Sequence, residues 1–173
     1  MTETDAAAPA APQINVLRIY LKDASFESPK VPGLFTQQQP LQPQVSVDLD
    51  LHSEQFGDTS YEVVIDVTVT ASQGEETLFL IEVRQAGIFD IRDVPPEHMP
   101  RVLAVTCPEM LFPFARQAIA DLAQNGGLPQ LLIAPVSFDA LYRRHQARQQ
   151  AAATGQGGDQ SGNGNGSASA QTH

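Results

Sequence analysis

The sequence of 173 residues has no tryptophan, a single cysteine (Cys107) and no long apolar run. One cysteine excludes an intramolecular disulfide and is typical of a reducing compartment. No run approaches the ~20 apolar residues that a membrane-spanning helix needs, and the first residues show neither the basic nor the apolar region of a signal peptide. We therefore expect a cytoplasmic protein without a membrane-inserted segment.

Positive charge is also scarce, with ten Lys and Arg against 20 Asp and Glu, a net charge of −10. None of the ten lies between Val31 and Val83, a stretch that holds nine carboxylates. Scattered bases without a basic patch argue against nucleic-acid binding. An acidic surface attracts basic protein partners instead, so the charge pattern favours a docking surface.

The two ends differ in composition from the middle of the chain. Residues 1–12 are mainly Ala, Pro, Thr and acid, and residues 151–173 hold six Gly without a large apolar side chain. Neither segment can bury enough apolar surface to offset its ordering entropy, so both are predicted to be disordered tails. Residues 13–150 are then left as one folded domain.

Every-other spacing of apolar residues predicts four strands, near residues 14–26, 45–51, 61–70 and 77–85. In the fourth strand the alternation places Leu78, Leu80, Glu82 and Arg84 on one face, and Phe79, Ile81, Val83 and Gln85 on the other. The connection 28–44 carries four prolines and is predicted to be long and extended.

Helices are predicted after the strands. A short turn is expected from Glu97, a main helix from Pro108 to a glycine stop at residues 126–127, and a last helix from an N-cap at Ser137 to about Gln150. The sequence therefore predicts an α+β fold, a four-stranded antiparallel sheet with two main helices on one face.

Catalytic and cofactor motifs are not found. Cys107 lies between apolar residues and is better explained as a small buried hydrophobe than as a nucleophile. Glu75 and Glu76 are adjacent on a strand and point to opposite faces, which suits solvated charge better than acid–base catalysis. We expect no enzyme activity, metal or cofactor; the enzyme alternative, a small hydrolase or isomerase, requires a carboxylate pair in a sheet pocket.

The sequence features that bear on function lie on the two faces of the fourth strand. Leu80 stands between Glu76 and Glu82, which is either an ordinary solvated face or an acidic docking site with an apolar anchor. The opposite row of Phe79, Ile81, Val83 and Gln85 is either core or an oligomer interface. One alternative is therefore an acidic adaptor that binds a single folded basic partner.

Four segments, in order along residues 14–149, resemble the SecB protein-export chaperone family. They are IYLKDASFESP (19–29), VTVTASQGEETLFLIEVRQAGIF (67–89), CPEMLFPFAR (107–116) and LPQLLIAPVSFDALY (128–142). The resemblance implies a homotetramer, built as a dimer of dimers, without catalysis or nucleotide. Its members hold newly made preproteins unfolded and pass them to the SecA motor ATPase.

The resemblance also implies site residues. The SecA-docking positions of the family fall on Asp23, Glu27, Leu80 and Glu82. Client grooves lie between the first long connection and the last helix, which gives Leu34, Phe35, Leu41, Phe138, Leu141 and Tyr142 as candidates. The family usually has a Trp in that connection, whereas this chain has none and places Leu41 nearby.

Overall fold

A computed structural model describes residues 11–36 and 42–155 of the chain. Of the predicted tails, 1–12 and 151–173, residues 1–10 and 156–173 lie outside the described residues, and so does the groove candidate Leu41. The elements are β1 (Gln13–Glu27), α1 (Gly33–Thr36), β2 (Gln44–Gln55), β3 (Ser60–Gln73), β4 (Glu76–Arg92), α2 (Met99–Arg101), a π-helical segment (Val102–Thr106), α3 (Cys107–Asn125) and α4 (Phe138–Gly155).

The four strands form one antiparallel sheet in the order β1-β4-β3-β2. The two central strands, β3 and β4, join through a tight turn at Gly74, whose φ of 64° favours glycine. Their inner face is covered by α3, and Ile65, Val67, Ile81 and Val83 are at most 1% exposed. The predicted α+β fold is confirmed, with the core between sheet and helices.

One residue of β4 departs from the predicted alternation. The register shifts after the pair Ala71–Phe79, so that Ser72 faces Thr77 and Leu78 has no cross-strand partner. A β-bulge of this kind interrupts the two-residue period. Leu78 is consequently buried in the core, 5% exposed, instead of sharing the outer face with Leu80.

The helix predicted to start at Pro108 begins earlier. Helical backbone runs without a break from Met99 to Asn125, through α2, the π-helical segment and α3. Because Pro108 has no N–H, it cannot donate to a carbonyl of the preceding turn, and the π-helical segment just before it reorganises these bonds. The amide of Cys107 donates to the carbonyl of Val102, five residues back.

The other helix signals are confirmed. α3 ends at Asn125, followed by Gly127 with a φ of 78°, and its residues Leu111 and Ile119 are fully buried. Ser137 caps α4, since its Oγ accepts from the amide of Ala140 at 3.3 Å. α4 continues to Gly155, past the predicted end at Gln150, because alanine, which fills residues 151–153, has the highest helix propensity.

Candidate functional site

The four residues that the family resemblance assigns to SecA docking lie on neighbouring strands. In the β1–β4 ladder Glu27 is the cross-strand partner of Leu80, and Asp23 is the partner of Arg84. Glu82 lies between these two positions and accepts a hydrogen bond of 3.2 Å from Ser25 Oγ. The structure thus brings Asp23, Glu27, Leu80 and Glu82 together on the outer face of the sheet.

On β3, in the middle of this outer face, two carboxylates are paired with neighbouring residues. Glu62 accepts from the Tyr20 hydroxyl and from Lys22 Nζ, which lies 2.8 Å from its Oε2. The hydrogen bond from Lys22, and then that from Tyr20, lowers the pKa of Glu62. Asp66 lies 2.9 Å from Arg84 Nε and 3.1 Å from His52 Nε2.

The carboxylates beside Leu80 differ from these. Among the described residues, Asp23, Glu27 and Glu82 make no ion pair, whereas Glu76, which the sequence placed next to Leu80, binds Lys30 at 2.9 Å. Three carboxylates without an ion pair therefore surround one half-buried leucine, and Asp48, Asp50 and Glu54 add further negative charge to the same face on β2. We name Asp23, Glu27, Leu80 and Glu82 the acidic patch; it fits a basic partner with an apolar contact.

The opposite row of β4 is enclosed within the chain. Phe79, Ile81, Val83 and Gln85 are 7%, 0%, 1% and 4% exposed. Gln85 Nε2 donates to the backbone carbonyl of Tyr20 at 2.8 Å, which satisfies the amide without a partner chain. Of the two interpretations that the sequence left open, this burial favours core packing; a role for the row at a subunit interface remains a prediction.

An open cleft of about 1070 Å³ lies between β2 on one side and α2 and α4 on the other. α3 packs on β1, β3 and β4, and neither α3 nor α4 makes extensive contact with the inner face of the edge strand β2. The Leu, Met and Tyr side chains of the lining are half-buried and come from β2, the helical stretch and α4; they are Leu49, Leu51, Met99, Leu103, Leu141 and Tyr142. We call this the large cleft.

A second opening of about 570 Å³, the small cleft, continues along β2 towards its start. Its other wall is the segment between α3 and α4, where Leu132 is 71% exposed. Val45 and Val47 of β2 are 43% and 39% exposed. Leu49 and Leu141 line both clefts, so the two form a nearly continuous apolar surface along one strand.

The predicted groove candidates occupy different environments. Leu141 and Tyr142 line the large cleft, but Phe138 is 1% exposed and packs edge-on against Phe112, with ring centroids 5.6 Å apart. Leu34 is buried in the core at 3%. Phe35 is 53% exposed and lies over Gly127, where an added Cβ would come within 3.1 Å of its ring.

Sequence reasoning missed most of the lining. The alternation in residues 45–51 predicts a strand but no groove lining, and no site residue is predicted in the segment 128–136. The sequence of residues 128–136 does contain a signal for an exposed apolar segment. Five large apolar residues lie near Pro129 and Pro135 without helical or strand periodicity. Such a segment cannot bury its side chains in regular structure, and the exposure of Leu132 is the result.

Features of a catalytic or metal site are not found in residues 11–36 and 42–155. No group of three His, Cys, Asp or Glu in that range could hold a metal ion. Burial raises the pKa of the Cys107 thiol to about 12, the opposite of an activated nucleophile. No helix in those ranges is long and apolar enough to cross a membrane.

An apolar surface held open on an α+β domain, with an acidic patch on the other face of its sheet, is an arrangement for binding other proteins. The family model described as "Preprotein translocase subunit SecB" matches residues 7–149. The chain therefore belongs to the SecB family, and it is a chaperone. Membership in this family of chaperones favours a binding role over a catalytic one.

A solved structure of a SecB-like chaperone agrees at the level of the fold. A SecB-like chaperone from Mycobacterium tuberculosis, solved in complex with a ChAD peptide from the HigA1 antitoxin, has a TM-score of 0.60 and 17% identity, covering 72% of this chain and 91% of that one. A protein of unknown function from Streptococcus agalactiae matches at a TM-score of 0.41 and 9% identity, covering 73% of this chain and 100% of that one.

Proposed function

We propose that this chaperone is a cytoplasmic export holdase, which keeps newly made preproteins unfolded and delivers them to the SecA motor. The observation that supports client holding is the nearly continuous apolar surface of the two clefts. Apolar contacts are non-directional, so such a surface accepts many unfolded sequences. A chaperone that binds the unfolded state draws the folding equilibrium towards it by mass action.

The neighbour from Mycobacterium tuberculosis supports a peptide-holding role, since its structure contains a peptide from another protein. For the present chain we propose a homotetramer, a dimer of dimers, as in the SecB family. Several clefts on one assembly would hold a long client at several points. Linked weak sites gain avidity without any strong single contact.

Delivery to SecA is assigned to the acidic patch. It lies on the outer face of the sheet, whereas the clefts lie on the inner side of β2. A client in the clefts would thus leave the patch free for SecA. Uncompensated carboxylates speed the approach of a basic partner, and the half-buried Leu80 supplies apolar contact.

The test is light scattering after size exclusion, with the full chain alone and with a denatured preprotein. We expect a mass near four chains that rises when unfolded preprotein is added and does not rise with the same preprotein folded. A monomer or dimer that ignores unfolded protein would contradict both the tetramer and the holdase.

A further inference from the structure

Arg84 lies between two carboxylates on the outer face of the sheet. Its cross-strand partner on β3 is Asp66, and its cross-strand partner on β1 is Asp23, a residue of the acidic patch. The guanidinium is bound on the β3 side, where Arg84 Nε donates to Asp66 Oδ1 at 2.9 Å. In the part of the chain that the structure describes, Arg84 makes no ion pair with Asp23 or Glu82. Its positive charge is therefore held away from the patch.

Lys22 shows the same arrangement. The register between β1 and β4 shifts between Leu21 and Asp23, so Lys22 is an extra residue of β1, as in a β-bulge. Its ammonium group reaches across β4 to Glu62 on β3, with Nζ 2.8 Å from Oε2, and the Tyr20 hydroxyl donates to the same carboxylate. The basic residue that precedes Asp23 and the one that lies opposite it are thus both bound by carboxylates of β3.

We propose that Asp66 and Glu62 are positioning residues for the acidic patch. They bind Arg84 and Lys22 on the β3 side and so leave the carboxylates of the patch free for a basic partner. This inference rests on the proposed docking function of the patch and adds the residues that maintain its charge. A second pairing is open to Arg84, because directly opposite residues in a sheet have Cβ atoms about 5 Å apart and Asp23 is the opposite residue on β1. In that pairing Arg84 would neutralise part of the patch.

The environment of Asp66 explains why Arg84 is bound there. Asp66 is half-buried, whereas Asp23 is exposed, so solvent screens the pair with Asp66 less. The other oxygen of Asp66, Oδ2, lies 3.1 Å from His52 Nε2, and the carboxylate is therefore contacted from two sides. The hydrogen bond to Asp66 is the main cause of the raised pKa of Arg84, and the charge of Asp23 also raises this pKa. Because Asp23 already attracts the guanidinium, loss of Asp66 would move Arg84 towards the patch.

The experiment measures the affinity of SecA for the full chain by isothermal calorimetry at about 0.1 M salt, where effects of distant charges are largely screened. We expect Asp66→Asn to weaken SecA binding about three- to fivefold, as for the loss of one exposed charge contact. Adding Arg84→Gln should bring the affinity back to the wild-type level, because no arginine is then free to enter the patch. Glu62→Gln should lower the affinity in the same way, and adding Lys22→Gln should restore it.

Asp50→Asn is the matched control. Asp50 lies opposite Asp66 on the same face, the change removes the same charge, and Asp50 makes no ion pair among the described residues. It should weaken SecA binding less than about twofold. Binding of a denatured preprotein shows that each variant is folded and should stay at the wild-type level.

Equal losses from Asp66→Asn and Asp50→Asn would overturn the positioning role, because net charge alone would then set the affinity. A loss that persists after Arg84→Gln is added would also overturn it, since Asp66 would not act through the arginine. In both cases wild-type binding of SecA leaves the docking function intact. If the wild-type chain does not bind SecA, the docking function is wrong and the positioning role is overturned with it.

Discussion

Leu80 on β4 lies directly opposite Glu27 on β1, and the next outward pair along the same strands is Glu82 with Ser25. An apolar side chain is thereby flanked by carboxylates from two strands. The arrangement depends on register, because a shift of one residue would turn Leu80 inward and Ile81 outward. The core residues Ile81 and Val83, both at most 1% exposed, hold that register.

The role of the acidic patch can be tested by placing a positive charge at one of its positions. We predict that Glu82→Lys or Leu80→Arg weakens SecA binding by about tenfold or more, because each change removes a contact at the centre of the proposed interface. Binding of a denatured preprotein should stay at the wild-type level, since the clefts lie on the other side of the sheet. Isothermal calorimetry at low salt measures the affinity for SecA, and size exclusion with denatured preprotein measures client binding.

Glu54→Lys is the control for this test. Glu54 is exposed on the outer face at the far end of β2, opposite Glu62, and the change in net charge is the same. It should reduce SecA affinity far less than Glu82→Lys. Equal losses from both variants would mean that general charge, rather than the patch, attracts SecA.

The sheet could be predicted because alternation is a local property of the sequence. The strand positions, the glycine stop after α3 and the cap at Ser137 all follow from neighbouring residues. Leu78 could not be placed, because the bulge beside Ala71 arises from pairing between two strands. The continuous helix through Pro108 was also missed, since the π-helical segment that accommodates it carries no local sequence signal of its own.

The candidate site was predicted only in part, for a similar reason. The acidic patch follows from alternation together with family resemblance. The clefts instead depend on which strand the helices leave uncovered, and that is a property of the packed fold. Leu49 and Leu51 have the pattern of core residues, and only the position of β2 at the sheet edge makes them cleft residues.

For the client surface we predict that Tyr142→Ser combined with Phe35→Ser weakens binding of a denatured preprotein by about tenfold. Tyr142 lines the large cleft, and Phe35 is 53% exposed over Gly127. Each single variant should be measured as well, because the structure places Phe35 outside both cleft linings. Wild-type affinity in the double variant would contradict both assignments, and a loss confined to Tyr142→Ser would restrict the client surface to the clefts.

Phe138 should behave as a structural residue. Its ring is 1% exposed and packs edge-on against Phe112, so Phe138→Ala is expected to lower the free energy of unfolding by about 3 kcal/mol. Urea denaturation followed by circular dichroism measures this at fixed chain concentration. Phe35→Ala is the comparison and should cost under about 1 kcal/mol, as exposed positions usually do. Similar costs for the two would show that Phe138 does not contribute to the core as its burial indicates.

The attachment of α4 to the helical stretch predicts a dependence of stability on pH. Asp139, in the first turn of α4, accepts from Arg101 at 2.9 Å and pairs with Arg143 at 2.7 Å. The hydrogen bond from Arg101 is the main cause of the lowered pKa of Asp139. A carboxyl whose pKa is lower in the folded state stabilises the fold above its unfolded pKa, about 3.9, and loses this effect as the pH falls through the folded pKa.

The stability gap between wild type and Asp139→Asn should therefore be largest near neutral pH and shrink as the pH falls below about 3.9. The midpoints of urea denaturation of both proteins, measured from neutral pH to below about 3.9, give this stability difference. Arg101→Gln should reduce the gap at neutral pH because it removes the main hydrogen bond, whereas Arg144→Gln should leave it unchanged, since Arg144 makes no ion pair in the described residues. If this stability difference instead widens as the pH falls, the pKa of Asp139 is not lowered in the folded state. In that case the ion pairs of Asp139 do not hold α4 in place, and its apolar contacts do.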